Sequence, residues 1–340
     1  MKILVENSTW NNIGDGFYQS TLYALFTKLF PQEEIYMGEG PFQRAFRPRP
    51  KWQLENGFKL MDYQQADIHV FSGPMLRAIL PTYSEKIKEI KKRGGNYLLV
   101  SVSSAHITEE ERVATGKFLE KYPPMILATR DEETYTNFKE FQINVYNGIC
   151  TAFLVNKMLP VLGFSGHSRF FISSFYNELE PVYKLQSGEV EIENIKVERK
   201  ATFLGLSHSI SRHLNFLRPQ QDTLLSHKIV RVHQDLSTHF YHVKFSHPNS
   251  FMSFNPLSYL SLYKSADFTI SDRVHSCAVA LSFGKPAMLF TNSPRAGIFD
   301  RLGYKIDRNS RIIYPIDNGI INREVANLSK AIEASVNCIA

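Results

Sequence analysis

Short apolar runs alternate with amphipathic stretches through the first 150 residues. The run "KILVE" (2–6) reads as a strand, and "GDGFYQSTLYALFTKLF" (14–30) carries Leu22, Leu25, Phe26 and Leu29 at helical spacing. "ADIHVFSG" (66–73) is a strand, and "TYSEKIKEIKKRGG" (82–95) is a helix closed by a glycine pair. "NYLLVSVSS" (96–104) is a strand, followed by a helix over 108–122 that opens with Thr108 and Glu111, a capping box. "PMILATR" (124–130) is a strand, and "DEETYTNFKEF" (131–141) a helix with acids in its first turn, where they suit the helix dipole. Strands alternating with helices predict a parallel sheet covered on both faces.

From about 156 to 198 this rhythm is lost, and the charged stretch "KLQSGEVEIENIKVERK" marks a connecting region. Beyond it "ATFLGLS" (201–207), "KIVRVHQ" (228–234) and "FYHVKFS" (240–246) read as strands. "PLSYLSLYKSA" (256–266) is a helix, "DFTIS" (267–271) a strand, "RVHSCAVALSFG" (273–284) a helix, "KPAMLF" (285–290) a strand and "NREVANLSKAIEASV" (322–336) a last helix. The expected architecture is α/β, with two Rossmann-like domains facing a cleft. The N-terminal domain spans 1–155 and the C-terminal domain 199–340, and the last helix is expected to pack back on the N-terminal domain. Ligands of open α/β sheets bind beyond the carboxyl ends of the strands, and clefts between domains are common sites.

Composition narrows the partners. Hydrophobic residues make up 43% and charged residues 21% of the 340, which supports ordinary buried cores. The net charge of +6 suits anionic partners. No Lys/Arg run resembles a nucleic-acid tail, so no nucleic-acid partner is expected. The segment "FQRAFRPRPKW" (42–52) interleaves Arg44, Arg47, Arg49 and Lys51 with aromatics; it reads as a Pro-rich solvated loop or as a loop meeting an anionic acceptor or membrane face. Three widely spaced cysteines, Cys150, Cys277 and Cys338, build neither a metal site nor a disulfide framework, and a cytoplasmic setting fits them. The N-terminus does not read as a signal peptide, and no apolar run reaches the roughly 20 residues of a membrane span, so membrane contact is expected to be peripheral, at the inner face.

The chemistry concentrates at strand-to-helix junctions. In "SDRVHSCAVALSFGKPAMLF" (271–290), Arg273 and His275 fall in the first turn of a helix, just past a strand ending at Ser271. Cations there oppose the helix dipole, so local stability does not explain them, whereas anion binding does. Arginine offers a planar fork for carboxylate or phosphate, and histidine a proton near neutral pH. The competing reading pairs Arg273 with Asp272 or Asp267 and makes His275 an interior residue. In "NNIGDGFYQSTLYALF" (11–26), Gly14 and Gly16 allow a tight turn and Asp15 stands where a helix cap belongs; it serves as a cap or faces the cleft to accept a proton or a sugar hydroxyl. At 127–138, Asp131 is expected to cap a helix, and Arg130 to serve structure through an ion pair. His208 and Arg212 follow "ATFLGLS" and are expected at the cleft. Cys277 reads as buried packing, and no G-x-S-x-G elbow or announced carboxylate pair is present.

Together these stretches resemble the polysaccharide pyruvyl transferase family. "NIGDGFYQSTLYALF" is similar to its Asn-x-Gly-Asp turn and helix, "VFSGPML" occupies the place of its glycine-rich segment, "LATRDEETY" is similar to its Arg-Asp-x-x-Ser helix start, and "SDRVHSCAVALSFGKPAMLF" to its Arg-x-His helix followed by Gly-x-Pro. "AGIFDRLGYK" (296–305) fits the family's tail. The resemblance implies the two-domain GT-B glycosyltransferase architecture. It also implies transfer of a pyruvyl group from phosphoenolpyruvate to two hydroxyls of a cell-surface polysaccharide or its free or lipid-linked precursor, with no metal or other cofactor. Carried over, Arg273 holds the donor's carboxylate or phosphate and His275 is the general acid, while Asp15 meets the acceptor hydroxyl. Arg212, by position, is a second anion clamp. His208 and Ser271 belong to the donor side, and Asn12, Gly14 and Gly73 to the acceptor side. Three departures stand out: "SGPM" (72–75) replaces the glycine run, "NVYNGICTAF" (144–153) lacks the usual aspartate, and Asp272 stands where many members have a small residue. Two other readings stay open, a GT-B type glycosyltransferase using a nucleotide sugar and a non-catalytic glycan-binding relative.

Overall fold

The computed structural model describes residues 1–7, 10–39, 64–164, 168–203, 205–207, 210–211, 214–236, 241–307 and 309–338. The basic stretch 42–52 and the expected donor residues His208 and Arg212 lie outside them.

The first half is built from β1 (Lys2–Asn7), α1 (Ile13–Leu29), β2 (Glu34–Glu39), β3 (Ile68–Gly73), α2 (Ser84–Lys92), β4 (Asn96–Val102), α3 (Glu109–Lys121), β5 (Leu127–Thr129), α4 (Glu132–Phe138) and β6 (Val145–Tyr146). Its six strands pair in parallel in the order β2-β1-β3-β4-β5-β6. The local signals explain most of these elements. Thr108 caps α3 in a full capping box with Glu111, and Asp131 caps α4 by accepting from the Thr134 amide. The α1 cap differs from expectation: Asn12, not Asp15, caps the helix, its Oδ1 accepting from the Gly14 amide at 3.2 Å.

A 3₁₀ turn at Thr151–Leu154 and α5 (Val155–Met158) lead to β7 (Phe170–Ser174). The second half continues with the antiparallel hairpin β8 (Val182–Leu185) and β9 (Ile195–Glu198), then β10 (Thr223–Leu224), β11 (His227–Val232), β12 (Ser250–Phe251), α6 (Pro256–Ser265), β13 (Thr269–Ser271), α7 (Val274–Ser282), β14 (Ala287–Leu289), α8 (Gly297–Asp300), β15 (Ile312–Ile313) and α9 (Asn318–Asn337). Its sheet runs β10-β11-β7-β13-β14-β15, with β12 beside β11; the pairs among β11, β7, β13 and β14 are parallel.

Two expectations fail here. The strand at the middle of this sheet is β7, inside the 156–198 stretch expected to be connection, while the described residues of 201–207 form no strand. The stretch 240–246, expected as a strand, is a 3₁₀ helix over Tyr241–Ser246.

One apolar core runs through both halves. Phe17 of α1 meets Tyr259 and Tyr263 of α6 edge-on, with ring centroids 6.3 and 5.9 Å apart, and α7 packs its fully buried Cys277–Ala280 turn into the same core. Burial pushes the Cys277 thiol's pKa up, as an inert packing residue requires. The last helix touches the first half where Asn144 reaches Ser335 at 3.5 Å. Among the described residues, no helix is long and apolar enough to cross a membrane.

Candidate active site

The loops after β1 and β11 meet each other. The Ile13 amide donates to the Gln234 carbonyl at 2.8 Å, and the Leu236 amide to the Asn11 carbonyl at 2.7 Å. These contacts bring the carboxyl ends of both sheets to one cleft.

The β13–α7 junction is wired to aim its side chains there. Ser271 is fully buried; its hydroxyl donates to the Ser174 carbonyl at 2.6 Å and accepts the Arg273 amide at 2.9 Å. Ser271, expected on the donor side, thus shapes the turn that carries Arg273. Asp272 is also buried, and its carboxylate accepts the amides of Tyr176, Asn177 and Glu178 at 3.0, 2.6 and 2.8 Å. Burial raises its pKa, while the Glu178 amide, the Arg273 charge and the other two amides oppose the rise. The loop so held carries Tyr176, whose ring lies 5.0 Å from the Arg273 guanidinium carbon. Arg273 therefore pairs with neither Asp272 nor Asp267. It reaches across the cleft to donate from Nη2 to Asn12 Oδ1, 261 residues away.

His275 stands deeper. Its ring meets Tyr18 edge-on at 5.0 Å, and its Nε2 lies 3.4 Å from Nη1 of Arg130. Arg130 is 1% exposed at the end of β5, and its Nη2 donates to Ser103 Oγ at 3.1 Å. Its Nε has no hydrogen-bond partner, the nearest carboxylate oxygen being Asp131 Oδ2 at 4.0 Å, on a group already capping α4. Arg130, expected to serve structure through an ion pair, keeps Asp131 at that 4.0 Å and also lies against His275. Arg295, in the 3₁₀ turn Pro294–Ala296 after β14, completes the cluster at the cleft rim. Desolvation and the Arg130 charge hold its pKa down, and Asp15 pushes it up. Desolvation, then Arg130, Arg295 and Arg273, depress the His275 pKa well below the usual range, so the imidazole is neutral at pH 7.

The remaining expected residues line this cluster. Asp15 lies within electrostatic reach of Arg295, and Asn12 Nδ2 approaches its Oδ1 at 3.5 Å. At Gly14, a Cβ would stand 3.2 Å from His275 Nδ1, 3.3 Å from Asn12 Oδ1 and 3.5 Å from Gln234 Oε1. At Gly73, φ is +91° and a Cβ would lie 2.2 Å from the Tyr18 hydroxyl. Gly73 thus seats Tyr18, which in turn backs His275, so its position is one step removed from an acceptor. Sequence reasoning missed Arg295, Tyr18 and Gln234 and the approach of Arg130 to His275. The rule that picked out Arg273, a cation just past a strand's carboxyl end, applies equally to Arg130, whereas Arg295 stands six residues beyond β14.

The arrangement gathers three guanidiniums and a neutral imidazole around one cleft, with Arg130 buried, Arg273 and His275 half-buried, Arg295 exposed and Asp15 at its side. It fits a compact polyanion and can deliver or accept a proton beside it.

Among solved structures, a Listeria monocytogenes protein assigned as a UDP-N-acetylglucosamine 2-epimerase is similar at a TM-score of 0.50, with 9% identity over 98% of this chain and 89% of that one. A Staphylococcus aureus MnaA–UDP structure gives 0.49 at 11% identity, covering 97% and 87%. A Methanocaldococcus jannaschii UDP-GlcNAc 2-epimerase in complex with UDP-GlcNAc and UDP gives 0.47 at 10%, covering 100% and 99%. The Listeria likeness speaks to the fold, which is GT-B. No curated protein matches the chain. The family model for polysaccharide pyruvyl transferase matches residues 12–294, from the Asn12 cap to the turn that carries Arg295, and this chain is a transferase belonging to that family.

Proposed function

We propose that this transferase moves a pyruvyl group from phosphoenolpyruvate to two hydroxyls of a saccharide, forming a ketal and releasing inorganic phosphate. The observation that carries the reading is the convergence of Arg130, Arg273 and Arg295 on His275. Phosphoenolpyruvate presents a phosphate and a carboxylate on a three-carbon frame, and guanidinium forks match both groups. Three cations from three separate loops offset its charge, and the contact with the buried Arg130 is the strongest because water is excluded there.

His275 then has a defined task. Neutral in the free protein, it gains a proton once the bound anion offsets the surrounding arginines. It delivers that proton to the donor's methylene carbon, which becomes a methyl group and leaves an oxocarbenium-like centre at C2. One acceptor hydroxyl adds to C2 and loses its proton to Asp15. Phosphate departs as hydrogen phosphate, taking the proton held by Asp15; the second hydroxyl adds to the same carbon and its proton returns to His275, so one diol plus phosphoenolpyruvate gives ketal plus hydrogen phosphate. The arginine fields hold the donor in line for both additions.

The acceptor is read as a precursor of a cell-surface polysaccharide, met in the cytoplasm, where phosphoenolpyruvate is made, or at the inner membrane face. The test is phosphate release from phosphoenolpyruvate by the purified protein with a panel of free and lipid-linked saccharides. Release that requires both substrates and yields a pyruvylated saccharide by mass supports the reading. Glycosyl transfer from a nucleotide sugar, with no phosphoenolpyruvate turnover, would replace it.

A further inference from the structure

Gln234 holds an unexplained position. It is 2% exposed, follows β11, and its carbonyl receives the first-turn amide of α1 from the other half. Its Nε2 donates to Tyr263 Oη at 2.6 Å and to Ser276 Oγ at 2.8 Å, the residue next to His275. Its Oε1 is buried with no hydrogen-bond partner. Leaving such an atom unpaired is unfavourable unless something offsets it.

The opposite deficit lies beside it. Arg130 can only donate, so its approach to His275 Nε2 makes Nε2 the lone-pair nitrogen of the neutral ring. The proton therefore sits on Nδ1. Three polar atoms crowd the same face of Gly14, within 3.2, 3.3 and 3.5 Å of where a Cβ would stand: His275 Nδ1, Asn12 Oδ1 and Gln234 Oε1. Asn12 Oδ1 already accepts twice, from the Gly14 amide and from Arg273. Gln234 Oε1 is the acceptor left over.

We propose that Gln234 is a positioning residue for His275: its unpartnered Oε1 is the acceptor available to the Nδ1 proton, the bond closing by a small shift of either side chain, and so keeps the Nε2 lone pair aimed at the arginine cluster. The tautomer assignment stands on its own; its kinetic consequence rests on the proposed transferase chemistry.

The test is nitrogen-15 NMR of the full-length protein, reading the ring couplings of His275 at pH 7.5, with its signals assigned by their loss in His275→Gln. The expected result is the Nδ1–H form in the native protein and loss of that preference in Gln234→Leu. Gln234→Glu, which keeps an acceptor, retains Nδ1–H and raises the His275 titration midpoint by a unit or more. A native Nε2–H form overturns the proposal, since it places a donor, not an acceptor, at Gln234. An unchanged tautomer in folded Gln234→Leu overturns it as well. Should Gln234→Leu not fold, the Gln234→Glu titration decides, and an unmoved midpoint overturns it. None of these readouts uses phosphoenolpyruvate, so they stand apart from the donor assignment. With that assignment in force, Gln234→Leu lowers kcat by roughly 100-fold with KM nearly unchanged, and Gln234→Glu restores part of it, within the roughly 10²–10⁴ that general acid catalysis supplies.

Discussion

Replacing Gly73 by alanine probes how firmly the site is braced from behind. The residue has φ +91°, and its Cβ would lie 2.2 Å from the Tyr18 hydroxyl and 2.9 Å from Tyr18 Cζ. The backbone strain alone costs about 1–2 kcal/mol. Tyr18 is fully buried on α1 with His275 against its ring, so it cannot swing into solvent. It has to retreat through a packed core, which costs about 1–3 kcal/mol more. The expected total is about 2–5 kcal/mol, read as a shift of the urea midpoint. Gly94 supplies the control: its φ is +78° and a Cβ there meets nothing within 4 Å, so Gly94→Ala carries only the backbone share. Tyr18→Phe in the Gly73→Ala background removes the nearest atom and is expected to recover part of the loss. Equal destabilisation by Gly73→Ala and Gly94→Ala, or no recovery in the double variant, would refute the bracing of His275 through Tyr18.

Other expectations follow from the same contacts. Asp272→Ala frees the three amides of 176–178 and with them Tyr176, so donor affinity is expected to fall about tenfold or more while His275 keeps its titration; unchanged affinity by calorimetry contradicts the role of that loop. Because His275 is neutral when free and gains a proton with the anion, donor binding takes up protons at pH 7.5 and tightens as pH falls toward 6.5. Calorimetry in buffers of different ionisation enthalpy reads this uptake, and zero uptake argues against it. Burial depresses the pKa of His233 to about 3 and of His247 to about 4, and that of His275 well below 6.5. The folded state leaves these rings neutral while the unfolded chain protonates them near 6.5. Stability is therefore full above pH 6.5 and falls as pH drops below it, by at most about 1.4 kcal/mol per pH unit for each ring. Urea midpoints that stay flat between pH 7 and 5 would contradict this.

The sequence made the local parts of the site legible. Ser271, Asp272, Arg273 and His275 lie on one short strand-to-helix junction, and the oddity of cations in a first helical turn pointed to an anion. What it hid were the partners. Arg130 meets His275 across 145 residues, and nothing in "LATRDEETY" distinguishes that geometry from an ordinary ion pair. The edge strand β2, "EIYMGE", went unread because its exposed Glu34 and Tyr36 dilute the apolar pattern. The strand β7 was missed because "FFISS" is short and buried on every side, so it lacks the alternation that marks a half-buried strand. At 240–246 the aromatic and β-branched residues suggested a strand, but Tyr241–Ser246 winds as a 3₁₀ helix leading to the β12 pairing with β11. Propensity gave way to tertiary context there.

The most direct measurement is calorimetric titration of the purified protein with phosphoenolpyruvate, beside a panel of nucleotide sugars, repeated with Arg273→Ala and Arg130→Ala. The account expects phosphoenolpyruvate to bind and both variants to lose most of that affinity while remaining folded. Binding of a nucleotide sugar with no response to phosphoenolpyruvate would contradict it, and would mean that the arginine cluster serves a different donor.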